Sequence, residues 1–108
     1  MSKIIVAPFS LVSRLVAAER GAVDAIDAAT TASANAQREI TLLWQEGERG
    51  AALAAARTTF ANAVREERAT RERYEPERRK AKARLDAVLA GLDRHQREAV
   101  LATAYEGR

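Results

Sequence analysis

Cysteine is missing from this 108-residue chain, which removes disulfide frameworks, thiolate nucleophiles and sulfur-ligated metals together. There is one histidine, His95, so two-histidine metal sites and a cysteine–histidine pair are excluded. No carboxylate cluster has the spacing of a cation-binding loop. A membrane-spanning run is lacking too: the longest apolar stretch near the N-terminus, residues 4–12, is interrupted by Pro8 and Ser10, and Lys3 alone makes a poor basic region for a signal peptide. Nothing here argues against the cytoplasm, which is the expected setting, and no membrane contact is expected.

What the chain does have is alanine. Of its residues 25 are alanine and 26 are larger apolar side chains. Alanine lets helices approach closely but removes little area from water, and a chain of this length buries only about 60–70% of the surface it exposes when unfolded. One thin-cored helical domain is expected, or a protomer that completes its core on a partner.

Residues 3–7, Lys-Ile-Ile-Val-Ala, are β-branched and end at Pro8, so residues 1–9 read as an extended arm, either packed on helices or paired as a strand with a second chain. From Ser10, a candidate cap, Leu11, Leu15, Ala18, Ala22, Ile26 and Ala29 recur at three- and four-residue intervals, and Ala36, Ile40 and Leu43 resume the phase. The pattern predicts helix over 10–46, with Gly21 costing about 1 kcal/mol inside it. The small polar run 30–35 is a place where it can break. Gly47 and Gly50 after Trp44 give the strongest turn signal; Gly47-Glu48-Arg49-Gly50 lacks the spacing and lysine of a phosphate-cradling loop. A helix over 51–74 follows.

Residues 65–84 hold nine of the eighteen basic residues and five of the fifteen acidic ones. Two architectures account for them. Pro76 can open a new helix over 76–91 that folds back, pairing Val64 with Leu85 and Phe60 with Leu89 and leaving the charges as a projecting tip. Alternatively Pro76 only kinks one helix from Ala51 to Ala90. The second places Glu67, Arg71 and Arg78 in the seam between helices, and those buried charges favour the first. Asp93 and Gln96 have capping-box spacing, which predicts a last short helix over 94–106 after a corner at Gly91.

The fold class is thus all-α, a helical hairpin or small helical bundle with a short extended N-terminal arm. No nucleophile, base and orienting group assemble; Asp24 and Asp27, one turn apart, suit an ordinary polar face, and His95 reads as solvated. No catalytic residue, metal site, cofactor or small-molecule substrate is expected. The main reading is a protein-binding module, a self-associating homo-oligomer or one docking on another protein, with Ile4, Ile5, Val6, Trp44, Phe60 and Tyr74 as interface candidates, although buried packing beside the glycine turn is the favoured place for Trp44. The alternative is nucleic-acid contact through Arg78, Arg79, Lys80, Lys82 and Arg84, the one uninterrupted basic cluster.

Residues 89–107, Leu-Ala-Gly-Leu-Asp-Arg-His-Gln-Arg-Glu-Ala-Val-Leu-Ala-Thr-Ala-Tyr-Glu-Gly, resemble the start of region four in extracytoplasmic-function sigma factors, through Leu92, Gln96, Arg97, Glu98, Tyr105, Glu106 and Gly107. Asp93 and Arg94 replace the prolines usual there, and the DNA-reading helix-turn-helix that follows in that family has no counterpart in these residues. The resemblance covers about a fifth of the chain and implies contact with transcription machinery, not promoter reading. Trp44-Gln45-Glu46-Gly47 is similar to the Trp-x-Gly turn of small secreted helical hairpins, with one residue too many.

Overall fold

The computed structural model describes residues 2–106, with side chains from Ser10 to Tyr105. They form three α-helices, α1 (Ser2–Gln45), α2 (Ala51–Ala90) and α3 (Arg94–Glu106), and no strand occurs among the described residues. The chain is all-α, and α1 and α2 pack against each other.

Three expected boundaries move. The extended arm is replaced by helix, because α1 already begins at Ser2. A five-residue strand without a partner leaves its backbone groups unpaired, whereas a helix satisfies them internally; against that, the helix penalty of isoleucine and valine is only some tenths of a kcal/mol each. Ile4, Ile5 and Val6 therefore lie on a helix, their side chains outside the described residues. The polar run 30–35 does not break α1. Nor does Pro76 start a new helix: it lies inside α2, which is continuous, so the fold-back that would pair Val64 with Leu85 does not form.

The charges that argued for the fold-back are accommodated by partners. Thr30 Oγ1 on α1 donates to Glu67 Oε2 at 3.2 Å and accepts from Arg71 at 3.0 Å. Arg71 also donates to Glu67 Oε2 through Nε at 3.3 Å and through a terminal nitrogen at 3.2 Å. A threonine opposite two charges closes a three-membered hydrogen-bonded set, so neither charge enters the seam alone.

The chain divides into two compact units, one of Met1–Val23 with Glu75–Arg108, the other Asp24–Tyr74. The first contains the start of α1, the end of α2 and the whole of α3. Its core is Val12, Leu15, Val16, Leu85, Val100 and Ala104, with Leu11, Val88, Leu89, Leu92 and Leu101 packed against it. Val12 is fully enclosed. α3 is held at both ends of its entry: Asp93 Oδ1 accepts from the Gln96 N–H at 2.8 Å, and Gln96 Oε1 accepts from the Asp93 N–H at 3.1 Å, the reciprocal box its spacing predicts. Arg97 then donates to the carbonyl of Leu89 in the last turn of α2, which also accepts from the Leu92 N–H at 3.1 Å, and to that of Leu92 in the corner beyond it.

The second unit is a two-helix antiparallel pair. Its seam positions, each buried or half-buried, run Ile26, Ala29, Ser33, Ala36, Ile40, Leu43 on α1 and Leu53, Ala56, Phe60, Ala63, Glu67, Thr70, Tyr74 on α2, spaced alternately by three and four, with Ala25 and Val64 half-buried beside them. α1 ends in a Schellman motif. Gly47, at φ 85, takes the left-handed position; its N–H donates to Trp44 O at 3.1 Å, and the Glu48 N–H to Leu43 O at 2.9 Å. Glu48 Oε1 accepts from the Gly50 N–H at 3.0 Å, leading the chain into α2.

Candidate interaction surface

Large apolar side chains left in solvent are few: Leu42 is 46% exposed, Trp44 51% and Tyr105 52%. Trp44 belongs to the two-helix unit, four residues beyond the seam residue Ile40, and it precedes the turn. One of its ring faces carries Arg49, whose guanidinium carbon lies 3.3 Å from the ring centroid. The same guanidinium donates to the carbonyls of Trp44, at 3.0 Å, and Glu48, at 2.8 Å. Arg49 thus terminates α1 and holds the indole in place by a cation–π contact. Beside the indole lies a concavity of about 370 Å³ lined by Ile40, Thr41, Trp44, Gln45 and Arg57.

The register follows from these contacts. Thr30 is level with Glu67, so residues whose numbers sum to about 97 lie side by side, and Arg57 duly borders the Ile40–Thr41 concavity. In antiparallel pairs like flanks meet like. One side of this unit therefore carries Thr30, Gln37, Thr41 and Trp44 of α1 beside Arg57, Val64 and Arg68 of α2. On this side, the arginine flank, Arg57 and Arg68 are exposed and make no ion pair among the described residues. Arg57 has no acidic residue within a helical turn on α2.

The opposite side carries Ala28, Ala32 and Leu42 of α1 beside Ala52 and Ala55 of α2. Its exposed charges include Glu39 and Glu66, which also lack an ion pair among the described residues.

In the three-helix unit the flank of α1 corresponding to Thr30 and Trp44 bears Val16 and Val23, and there α3 covers it. Val16 is buried, and Tyr105 of α3 joins Val16, Glu19, Arg20 and Val23 around a cavity of about 80 Å³. The two-helix unit has no third helix of its own on that flank.

The remaining sequence candidates are placed as follows. Phe60 and Tyr74 are half-buried along the two-helix seam, which makes them packing residues first. Of the basic cluster, Arg78 is half-buried and bonded to Glu75, with its Nε 3.1 Å from Glu75 Oε1. That hydrogen bond and the charge of Glu75, aided by Glu19, raise the Arg78 pKa above its ordinary value. Arg79 lies 3.7 Å from the same carboxylate. Lys80, Lys82 and Arg84 are exposed without an ion pair among the described residues, but by helical spacing Lys80 and Arg84 occupy one flank of α2 and Lys82 the other. His95 is exposed at the start of α3. Among the described residues no group of three or more histidine, cysteine or acidic side chains is placed to hold a metal ion, and no helix is long and apolar enough to cross a membrane.

Sequence reasoning passed over Arg49 and Arg57. The signal for Arg49 was its place between two glycines after a helix end, where a cation meets free carbonyls. For Arg57 it was a cation with no counter-charge in reach along its own helix.

These features define an all-α protein whose two-helix pair leaves a large apolar side chain exposed on each flank, Trp44 on one and Leu42 on the other. No known protein family, curated protein or solved structure matches the chain.

Proposed function

We propose that this chain is a non-catalytic helical module that works by protein–protein contact, with the arginine flank around Trp44 as its contact surface. One observation carries the reading: a half-exposed tryptophan, fixed by Arg49, borders a concavity beside the unpaired Arg57. Tryptophan and arginine are the side chains that most often dominate binding energy at interfaces, because each combines large area with a directional polar group. The alternating three–four spacing of the seam is that of an antiparallel coiled coil, a scaffold that presents flanks to further helices.

Trp44 is the sole tryptophan, so its fluorescence reports on this surface directly. Addition of host extract should shift its emission to the blue, and proteins retained by immobilised wild-type chain should bind Trp44→Ala about tenfold or more weakly when purified and retested, the range of an interface hot spot. Unchanged emission, together with equal retention by both chains, would remove this reading.

A second reading, nucleic-acid contact by an accessory of transcription, is favoured by the exposure of Lys80, Lys82 and Arg84 in a unit with eleven basic and seven acidic residues. Electrophoretic mobility of random DNA and RNA at two salt concentrations tests it. A shift that weakens steeply with salt supports it, and no shift at low salt ends it.

A further inference from the structure

The two flanks of the two-helix unit differ in charge in a way that bears on the identity of the partner. On the arginine flank Arg57 and Arg68 are eleven residues apart on α2, about 16 Å along the axis. On the opposite flank Glu66 of α2 is level with residue 31 of α1, eight residues from Glu39, about 12 Å along the axis. None of the four makes an ion pair among the described residues, and all are exposed. Their neighbours are small or apolar: Thr41, Val64 and Trp44 on one side, Ala32, Ala52 and Leu42 on the other.

We infer that the partner covering the arginine flank is a second copy of this chain, presenting its own Glu39–Glu66 flank. This deepens the proposed function and rests on it. The charge pattern argues for a copy because both halves of the complement stand on one unit: Arg57 and Arg68 outnumber the exposed Asp27 on one face, and Glu39, Glu46 and Glu66 outnumber the exposed Arg73 on the other. The spacings differ by about one turn, which the long arginine side chains span. Placed over the groove between α1 and α2 of the next copy, the arginine-bearing helix reaches an anion on each side. The alanines there allow close approach, and Trp44 and Leu42 are covered. Helix-on-helix packing of this kind is what α3 supplies to α1 within the other unit. The contact joins two different surfaces, so it is heterologous: one copy binds the next with a face still free, and assembly extends or closes into a ring.

Sedimentation of the full chain from micromolar to millimolar concentration tests this with two double variants, Arg57→Ala/Arg68→Ala and Glu39→Ala/Glu66→Ala. Alanine at exposed helical positions preserves the helices, which circular dichroism checks. Wild type should grow in mass with concentration, less so in high salt. Each double variant alone should associate at least about tenfold more weakly, equivalent to about 1.4 kcal/mol. Mixed, the two should form a 1:1 dimer and nothing larger, since only one intact arginine flank and one intact glutamate flank remain to meet. A wild type that stays monomeric throughout, variants that assemble like wild type, or a mixture that stays monomeric would each overturn the inference. If wild type is monomeric while a host protein shifts Trp44 emission, the inference falls and the proposed function stands; if neither occurs, both fall.

Discussion

Three single residues decide how the helices begin, continue and end. Gly21 is exposed in the interior of α1, and a Cβ built there meets nothing within 4 Å. No close packing compensates its backbone entropy, so Gly21→Ala should stabilise the fold by about 1 kcal/mol and raise the melting temperature by about 4 °C. Unchanged or lowered melting would mean that the position answers to something beyond helix propensity. Gly47 is the opposite case. There too a Cβ meets nothing, but φ 85 is a conformation that L side chains rarely adopt, so Gly47→Ala should cost about 1 kcal/mol by denaturant melting. Arg49 combines a cation–π contact with two bonds to carbonyls. Arg49→Ala should cost about 1 kcal/mol, and Arg49→Lys should recover less than half of it, because an ammonium lacks the planar face that stacks on the indole. Full rescue by lysine would show that charge alone matters. The caps at Gly47 and at Asp93–Gln96 were legible in the sequence because their partners lie within a few residues. Arg49 was not, since its role depends on where the turn returns the chain.

At the scale of the element the informative case is α2. Its spacing was read correctly as compatible with one long helix, yet charges in the seam turned the choice toward a fold-back at Pro76. What the sequence hid was Thr30, thirty-seven residues away from Glu67, whose hydroxyl completes the bonding of Glu67 and Arg71. A local pattern shows that a charge faces a neighbouring helix but not what it meets there. The N-terminal residues mislead in a similar way: β-branching marks strand only where another strand is at hand. Continuity through Pro76 still has a cost, because its ring clashes with the carbonyl of Glu72 and supplies no N–H to it. Pro76 is exposed, so Pro76→Ala removes that cost without touching the core and should stabilise α2 by about 2–3 kcal/mol. Destabilisation on replacement would imply that the proline sets a local bend on which neighbouring contacts depend.

At the scale of the whole molecule, few large side chains are enclosed. The buried hydrophobic residues are Val12, Leu15, Val16, Ala22, Ile26, Leu53, Ala56, Ala81, Leu85, Val100 and Ala104, four of them alanines that contribute little burial. The two-helix unit draws only Ile26, Leu53 and Ala56 from that set, while its flanks keep Trp44 and Leu42 half in water. Composition had indicated the thin core, but which side chains of the two-helix unit stay in water depends on the register of α1 against α2, and that is a tertiary fact. A fold with so little enclosed gains disproportionately from association, because any interface that forms only between folded chains is lost on unfolding. If copies join through Arg57, Arg68, Glu39 and Glu66, the melting temperature must rise with protein concentration, each hundredfold increase adding about 2.7 kcal/mol per contact once assembly saturates. The Arg57→Ala/Arg68→Ala variant should begin this rise only at a concentration at least about tenfold higher, melting below that like dilute wild type. Added salt should lower the melting temperature of concentrated wild type toward that same value, since screening weakens exposed ion pairs while leaving the helical seam intact. A wild-type melting temperature independent of concentration would mean that the two-helix unit holds together on its seam alone, with Phe60, Val64 and Ile40 sufficing where a covering helix was inferred.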